Sequence, residues 1–153
     1  MDEEILLKAI HAEIQARNAY ELLAGRIEAE SGKRAMSAIA KEEEEHRLTL
    51  ANWYRKLTGR DYEYDPGIKA GPDLAFIKAS AFRYTDGLEA LKLALGAEDD
   101  AIAFYTEAVE NTDVRGDRHI LKILLKFEKK HKKLLTKEIY NMEKSNHWNL
   151  RKN

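Results

Sequence analysis

Apolar residues recur at steps of three and four along four separate stretches of the chain, and each stretch is interrupted by an acid or an imidazole on its apolar side. The first runs Leu6, Ile10, Glu13, Ala16, Tyr20, Leu23, Ile27; the second Met36, Ile39, Glu43, His46, Leu50, Trp53, Leu57. The third runs Leu88, Leu91, Leu95, Glu98, Ala101 and Ile102, Tyr105, Val109, and the fourth Leu121, Leu124, Glu128, His131, Leu135, Ile139, Met142. This spacing places each set on one face of an α-helix and predicts four amphipathic helices of roughly 26 to 29 residues, each about 40 Å long. Ser31 is the expected cap of the second helix, and Thr58 with Gly59 its end. Asp86, with Glu89 three residues on, reads as a capping box for the third. A break around Thr112, Asp113 and Gly116 precedes the fourth, and residues 145–153 read as a polar tail containing His147 and Trp148, which could serve an oligomer contact.

Between the second and third helices lie residues 59–85, with both prolines, Pro66 and Pro72. That is too long for a turn between antiparallel neighbours, and long enough to run back along a helix. The expected fold is therefore an all-α four-helix bundle, one domain over residues 1–153, with a long crossover between helices 2 and 3. An up-down-up-down bundle would also bring the four glutamates to similar heights. A short helix over 74–82 is expected within the connector.

The interrupting residues form an internal repeat. A shift of 85 residues lays Ala12, Glu13, Ala16 and Tyr20 on Ala97, Glu98, Ala101 and Tyr105, and lays Glu43 and His46 on Glu128 and His131. Residues at i and i+3 share a helix face, so each Glu-x-x-His pair offers one oxygen and one nitrogen ligand together. Four carboxylates in an apolar core require compensating positive charge, which two divalent cations supply. Glu13, Glu43, His46, Glu98, Glu128 and His131 are thus the candidate ligands of a two-metal site. The run of glutamates at 42–45 would make one such pair cheap, but Glu128 stands among Lys126, Lys129 and Lys130 and still falls on the apolar stripe. Carboxylate and imidazole ligation without thiolate fits iron or manganese and, less selectively, zinc. Tyr20 and Tyr105, two turns beyond the lone glutamates, read either as core tyrosines or as hydrogen-bond donors to ligand carboxylates. His11 and His119 read as surface histidines, and the lysines around His131 as a solvated face.

Composition narrows the rest. The 26 basic and 27 acidic residues leave a formal net charge of -1, and no nucleic-acid or membrane partner is expected. The absence of cysteine excludes disulfides and thiolate-bound metal from this sequence. No apolar run approaches a membrane span and the N-terminus is acidic, so a cytoplasmic protein is expected.

The pattern Glu13, Glu43-x-x-His46, Glu98, Glu128-x-x-His131, with Tyr20 and Tyr105, resembles the ferritin-like di-iron carboxylate superfamily, most closely the rubrerythrin group. The resemblance spans the four helices. It implies a left-handed bundle holding two irons, with Glu43 and Glu128 as bridges, Glu13 and Glu98 as terminal ligands and one histidine per iron. It also implies reduction of hydrogen peroxide with electrons relayed by a rubredoxin-like domain. Two departures stand out: this sequence has no cysteines for such a domain, and Ala101 occupies the position where rubrerythrins tend to carry a further glutamate. The expected function is a di-iron oxidoreductase using hydrogen peroxide or dioxygen and an external electron donor such as a rubredoxin-like protein, with no catalytic residues beyond the metal ligands, working as a homodimer in oxidative stress. The alternatives are a ferroxidase or iron-handling protein, and a helix-bundle binding module with a structural metal.

Overall fold

The computed structural model describes residues 3–25, 27, 30–63 and 84–150, and all regular structure among them is helical. The chain divides into two compact units, Met1–Lys78 and Ala79–Asn153, each built on one helical hairpin.

In the first unit α1 (Glu3–Ala24) packs against α2 (Glu30–Thr58). The Tyr54 hydroxyl donates to Glu3 at 3.0 Å, so the end of α2 meets the start of α1 and the pair is antiparallel. Leu6, Ile10, Ile14, Leu23, Met36, Ile39 and Leu50 are at most 1% exposed. Burying such side chains supplies roughly 1.5 to 3 kcal/mol each, and this rather than intrinsic propensity holds the hairpin closed. The apolar stripes are confirmed at most positions, but Leu57 is 49% exposed. With 29 residues against 22, α2 outruns α1, and Leu57 lies in the turn that extends past it. Ile14 and Tyr54 are buried in addition to the expected stripe.

Helix ends depart from expectation in three places. Hydrogen bonds from the Gly25 and Ile27 amides to Glu21 and Leu23 carbonyls carry helical bonding past Ala24. Consequently α2 begins at Glu30, and Ser31 lies inside it instead of capping it. A Cβ at Gly32 would come within 2.7 Å of Ile27 Cγ2, so only glycine lets the first turn of α2 approach the end of α1 this closely. At the far end Gly59, with φ of 71°, takes the left-handed conformation and donates its amide to the Arg55 carbonyl at 2.9 Å, ending α2 where the sequence indicates.

The second unit pairs α3 (Tyr84–Asn111) with α4 (Arg115–Leu150). The Lys92–Glu143 and Lys132–Asp99 ion pairs join early to late positions, so this hairpin is antiparallel as well. Leu91, Leu121, Leu124 and Leu135 form its core. Because α3 already begins at Tyr84, Asp86 sits within its first turn and not ahead of it. The Arg118 guanidinium donates to the Thr112 carbonyl and its amide to that of Val114, closing the short turn into α4. The expected polar tail is corrected: α4 continues to Leu150, since no glycine or proline follows Gly116 to stop it. The short helix expected at 74–82 lies outside the described residues, as do both prolines.

Candidate metal centre

Each unit builds the same cluster from one acid on its first helix and an acid with a histidine on its second. On α1, Glu13 is 4% exposed; on α2, Glu43 is 1% and His46 4% exposed. His46 Nδ1 lies 3.3 Å from Glu13 Oε2 and 3.1 Å from Glu43 Oε2, so one ring nitrogen touches both carboxylates. In the second unit Glu98, Glu128 and His131 are 3%, 2% and 1% exposed. There His131 Nδ1 stands 3.8 Å from Glu98 Oε2 and 3.5 Å from Glu128 Oε2. Within each triplet every residue offers a ligand atom within 4.8 Å of the others. The i,i+3 spacing explains why: one turn of helix turns Glu43 and His46, or Glu128 and His131, to the same side, and the hairpin brings the lone glutamate opposite.

The donor sets suit a cation. Carboxylates buried to this degree carry a desolvation penalty of several kcal/mol per ion unless paired, and an imidazole offers at most one positive charge. A divalent metal supplies the missing charge and takes oxygen and nitrogen ligands together.

Burial also sorts the acidic run at 42–45. Of its four glutamates only Glu43 is buried; Glu45 is exposed, and Glu42 and Glu44 are half-buried. Glu44 receives Arg17 Nη1 at 2.6 Å across the hairpin and Arg47 through Nε and Nη2 at 2.9 and 2.6 Å. The Arg47 hydrogen bond, against the opposing effect of partial burial and with help from Arg17, holds the Glu44 carboxyl below its usual range. This clamp fastens α1 to α2 one residue from a candidate ligand. The repeat places Lys129 at the equivalent position in α4, and the second hairpin is tied instead by the Lys132–Asp99 pair at 2.5 Å and the Lys92–Glu143 pair at 3.1 Å.

Tyr20 and Tyr105 are each 2% exposed, two turns from Glu13 and Glu98, with Phe104 edge-on to Tyr105 at 5.1 Å. His11 and His119 are exposed, His11 against the edge of Tyr62 at 6.1 Å. The side chains of His147 and Trp148 lie outside the described residues. One buried acid escapes the sequence reading: Glu138, 7% exposed, two turns past His131 on the same face of α4. Its seven-residue spacing from His131 was the available signal, but the repeat aligns it with Trp53 and so gives it no acidic counterpart.

A family model described as Rubrerythrin matches residues 4–139, which includes all six clustered residues. The chain belongs to the rubrerythrin family. A hypothetical protein from Pyrococcus furiosus is similar in structure, with a TM-score of 0.81 and 27% identity over 93% of this chain and 90% of its own. The dodecameric thioferritin of Bacteroides fragilis, a bacterioferritin-related protein, superposes with a TM-score of 0.74 at 19% identity, covering 96% of this chain and 91% of that one. No curated protein sequence matches the chain. The fold is thus that of the ferritin-like four-helix bundles, all-α with a long connection between the second and third helices. Family membership together with the buried glutamate and histidine clusters marks a metal-binding protein of the di-iron type. Among the described residues no helix is long and apolar enough to cross a membrane.

Proposed function

We propose that the two triplets belong to one domain and combine into a single centre for two irons, and that the protein reduces hydrogen peroxide with electrons from an external donor. The observation that carries this reading is the duplicated triplet: two buried acids and one histidine in each hairpin, at the same 85-residue offset. In the ferritin-like bundles such residues project inward from all four helices. Glu43 and Glu128 would serve as bridges, Glu13 and Glu98 as terminal ligands, and His46 and His131 would each complete one metal. When bound, the metal pair would supply the two electrons that peroxide reduction needs. The chain's own part is to hold the ligands in register, to exclude bulk water through the surrounding leucines and isoleucines, and to orient the carboxylates through the Tyr20 and Tyr105 hydroxyls. The lack of cysteine in the sequence favours a separate electron donor, such as a rubredoxin-like protein. We place the protein in the cytoplasm, as a homodimer acting in oxidative stress.

Stopped-flow oxidation of the iron-loaded, reduced protein tests this directly. Oxidation by hydrogen peroxide should be much faster than by dioxygen, with about two irons per chain and a dimer by light scattering. The opposite order of rates, or a large assembly retaining many more irons per chain, would assign the protein to iron oxidation and storage instead. Bound zinc with no redox response would leave the metal a purely structural role.

A further inference from the structure

The outward face of α4 carries Lys122, Lys126, Lys129, Lys130, Lys133 and Lys137, all exposed. Steps of four, three, four and four residues from Lys122 to Lys137 keep five of them on one side of the helix, a strip about 22 Å long at 1.5 Å per residue. No acid interrupts it: Glu128 and Glu138 are buried on the opposite side, and Asp117 and Glu143 are half-buried near the two ends of the helix. Among the described residues Lys122, Lys126, Lys129, Lys133 and Lys137 make no ion pair, whereas Lys132, on the flank facing α3, is paired with Asp99. Two apolar side chains accompany the strip, Ile123 at 43% and Tyr140 at 54% exposure, the latter under the Lys144 ammonium at 4.8 Å from its ring centre. Unpaired lysines around a little exposed apolar surface are the composition of a small transient docking face.

The position of the strip bears on its use. Lys129, Lys130 and Lys133 sit on the same turns of α4 as Glu128 and His131, pointing out where those two point in. Only the width of one helix, about 10 Å, separates the outer surface from two candidate ligands. The remaining charge of the chain also limits the partner. Its total of -1 means that the lysine strip is a local feature, attractive within about one Debye length of roughly 10 Å, and gives no long-range pull on an extended polyanion.

We propose that this face of α4 docks a small acidic electron-carrier protein, which delivers electrons across α4 to the metal centre. The inference rests on the oxidoreductase reading above and names the surface and the partner chemistry for it. Each encounter transfers one electron and oxidises one carrier. Two encounters, with two protons from solvent, return the centre to its reduced state for each peroxide cleaved to two waters, so electrons and atoms balance.

The test uses a rubredoxin, a small acidic electron carrier with an iron centre, as the probe. Its binding to the full chain, with and without iron, is measured by fluorescence anisotropy at low and at raised salt, and its oxidation by peroxide is followed in the iron-loaded protein. Reversing Lys126, Lys129 and Lys133 to Glu should weaken rubredoxin binding at least tenfold in both metal states and raise the KM for rubredoxin with kcat little changed. Reversing the exposed Arg34, Lys41 and Lys56 of α2 should change either quantity less than twofold. Oxidation of the pre-reduced iron protein by peroxide should be equal in wild type and in both variants. Failure of that peroxide step in wild type, with rubredoxin still bound through α4, would overturn the oxidoreductase reading and leave the docking face standing. Equal losses in the two reversed variants would overturn the docking proposal, as would tighter binding of duplex DNA or anionic vesicles than of rubredoxin at the same salt.

Discussion

Replacing Glu128 with glutamine removes one charge from the second triplet while keeping nearly the same volume, so cavity formation does not enter. Two carboxylate oxygens 4.8 Å apart, the outer limit of the cluster, repel by about 3 kcal/mol at an effective dielectric constant near 20. Water entering the metal-free pocket relieves part of this, leaving a gain of about 1 to 3 kcal/mol for the metal-free Glu128→Gln variant. For a chain of 153 residues, at roughly 2.1 cal/mol/K of unfolding entropy per residue, each kcal/mol moves Tm by about 3 °C. The metal-free variant should therefore melt about 3 to 9 °C above metal-free wild type. Loading acts in the opposite direction. Ferrous iron at a hundredfold excess over its Kd stabilises by about 2.7 kcal/mol, or about 8 °C in wild type. A neutral amide is a poor ligand, so the metal-induced rise in the variant should stay under about 3 °C and its iron content should fall to one ion per chain or fewer. Anaerobic calorimetry with elemental analysis measures both quantities, and His119→Gln, on the exposed surface, should behave as wild type in each. Unchanged iron content and an unchanged metal-induced rise in Glu128→Gln would refute the assignment of Glu128 as a ligand.

Two further outcomes are expected. Leu121→Ala, at a fully buried position, should cost about 2 to 5 kcal/mol in thermal unfolding, whereas Leu57→Ala, at a half-exposed one, should stay within about 0.5 kcal/mol; similar losses would contradict the burial of the two side chains. Glu44 has its carboxyl held below the ordinary glutamate value of 4.5, chiefly by the hydrogen bond from Arg47. Its contribution to stability is present above pH 4.5 and is lost as pH falls below that value through the lowered folded one. Glu44→Gln in the metal-free protein should accordingly lower stability at pH 7 by about 1 kcal/mol and leave it nearly unchanged at the acid end, as read from urea unfolding across pH. A pH-independent effect would show that the arginine clamp does not depend on the charge of Glu44.

What the sequence determined by itself was local and periodic. The 3.6-residue repeat of leucine, isoleucine and tyrosine marks four helices, because a helix that packs must put its apolar side chains on one face. The same periodicity exposes Glu13, Glu43, Glu98 and Glu128 as acids on the wrong side of their helices. Duplication at 85 residues then separates them from a background rich in glutamate, and the i,i+3 partner tells Glu43 from its three acidic neighbours before any burial is known. Three kinds of feature were decided only by tertiary structure. Helix ends moved: α2 starts before Ser31, α3 before Asp86, and α4 runs on to Leu150, because end positions depend on where hydrogen bonding and packing give out and not on a preferred cap residue alone. Burial at the margins changed, with Leu57 left in solvent where α2 outlasts its partner and Glu138 enclosed without a repeat counterpart. The Arg17–Glu44–Arg47 clamp joins residues 27 and 3 positions apart, and the hairpin alone brings Arg17 to Glu44. Periodicity fixes which face a residue occupies; which side chain meets it across the hairpin depends on helix length and register, and those are set by the packing of the two helices together.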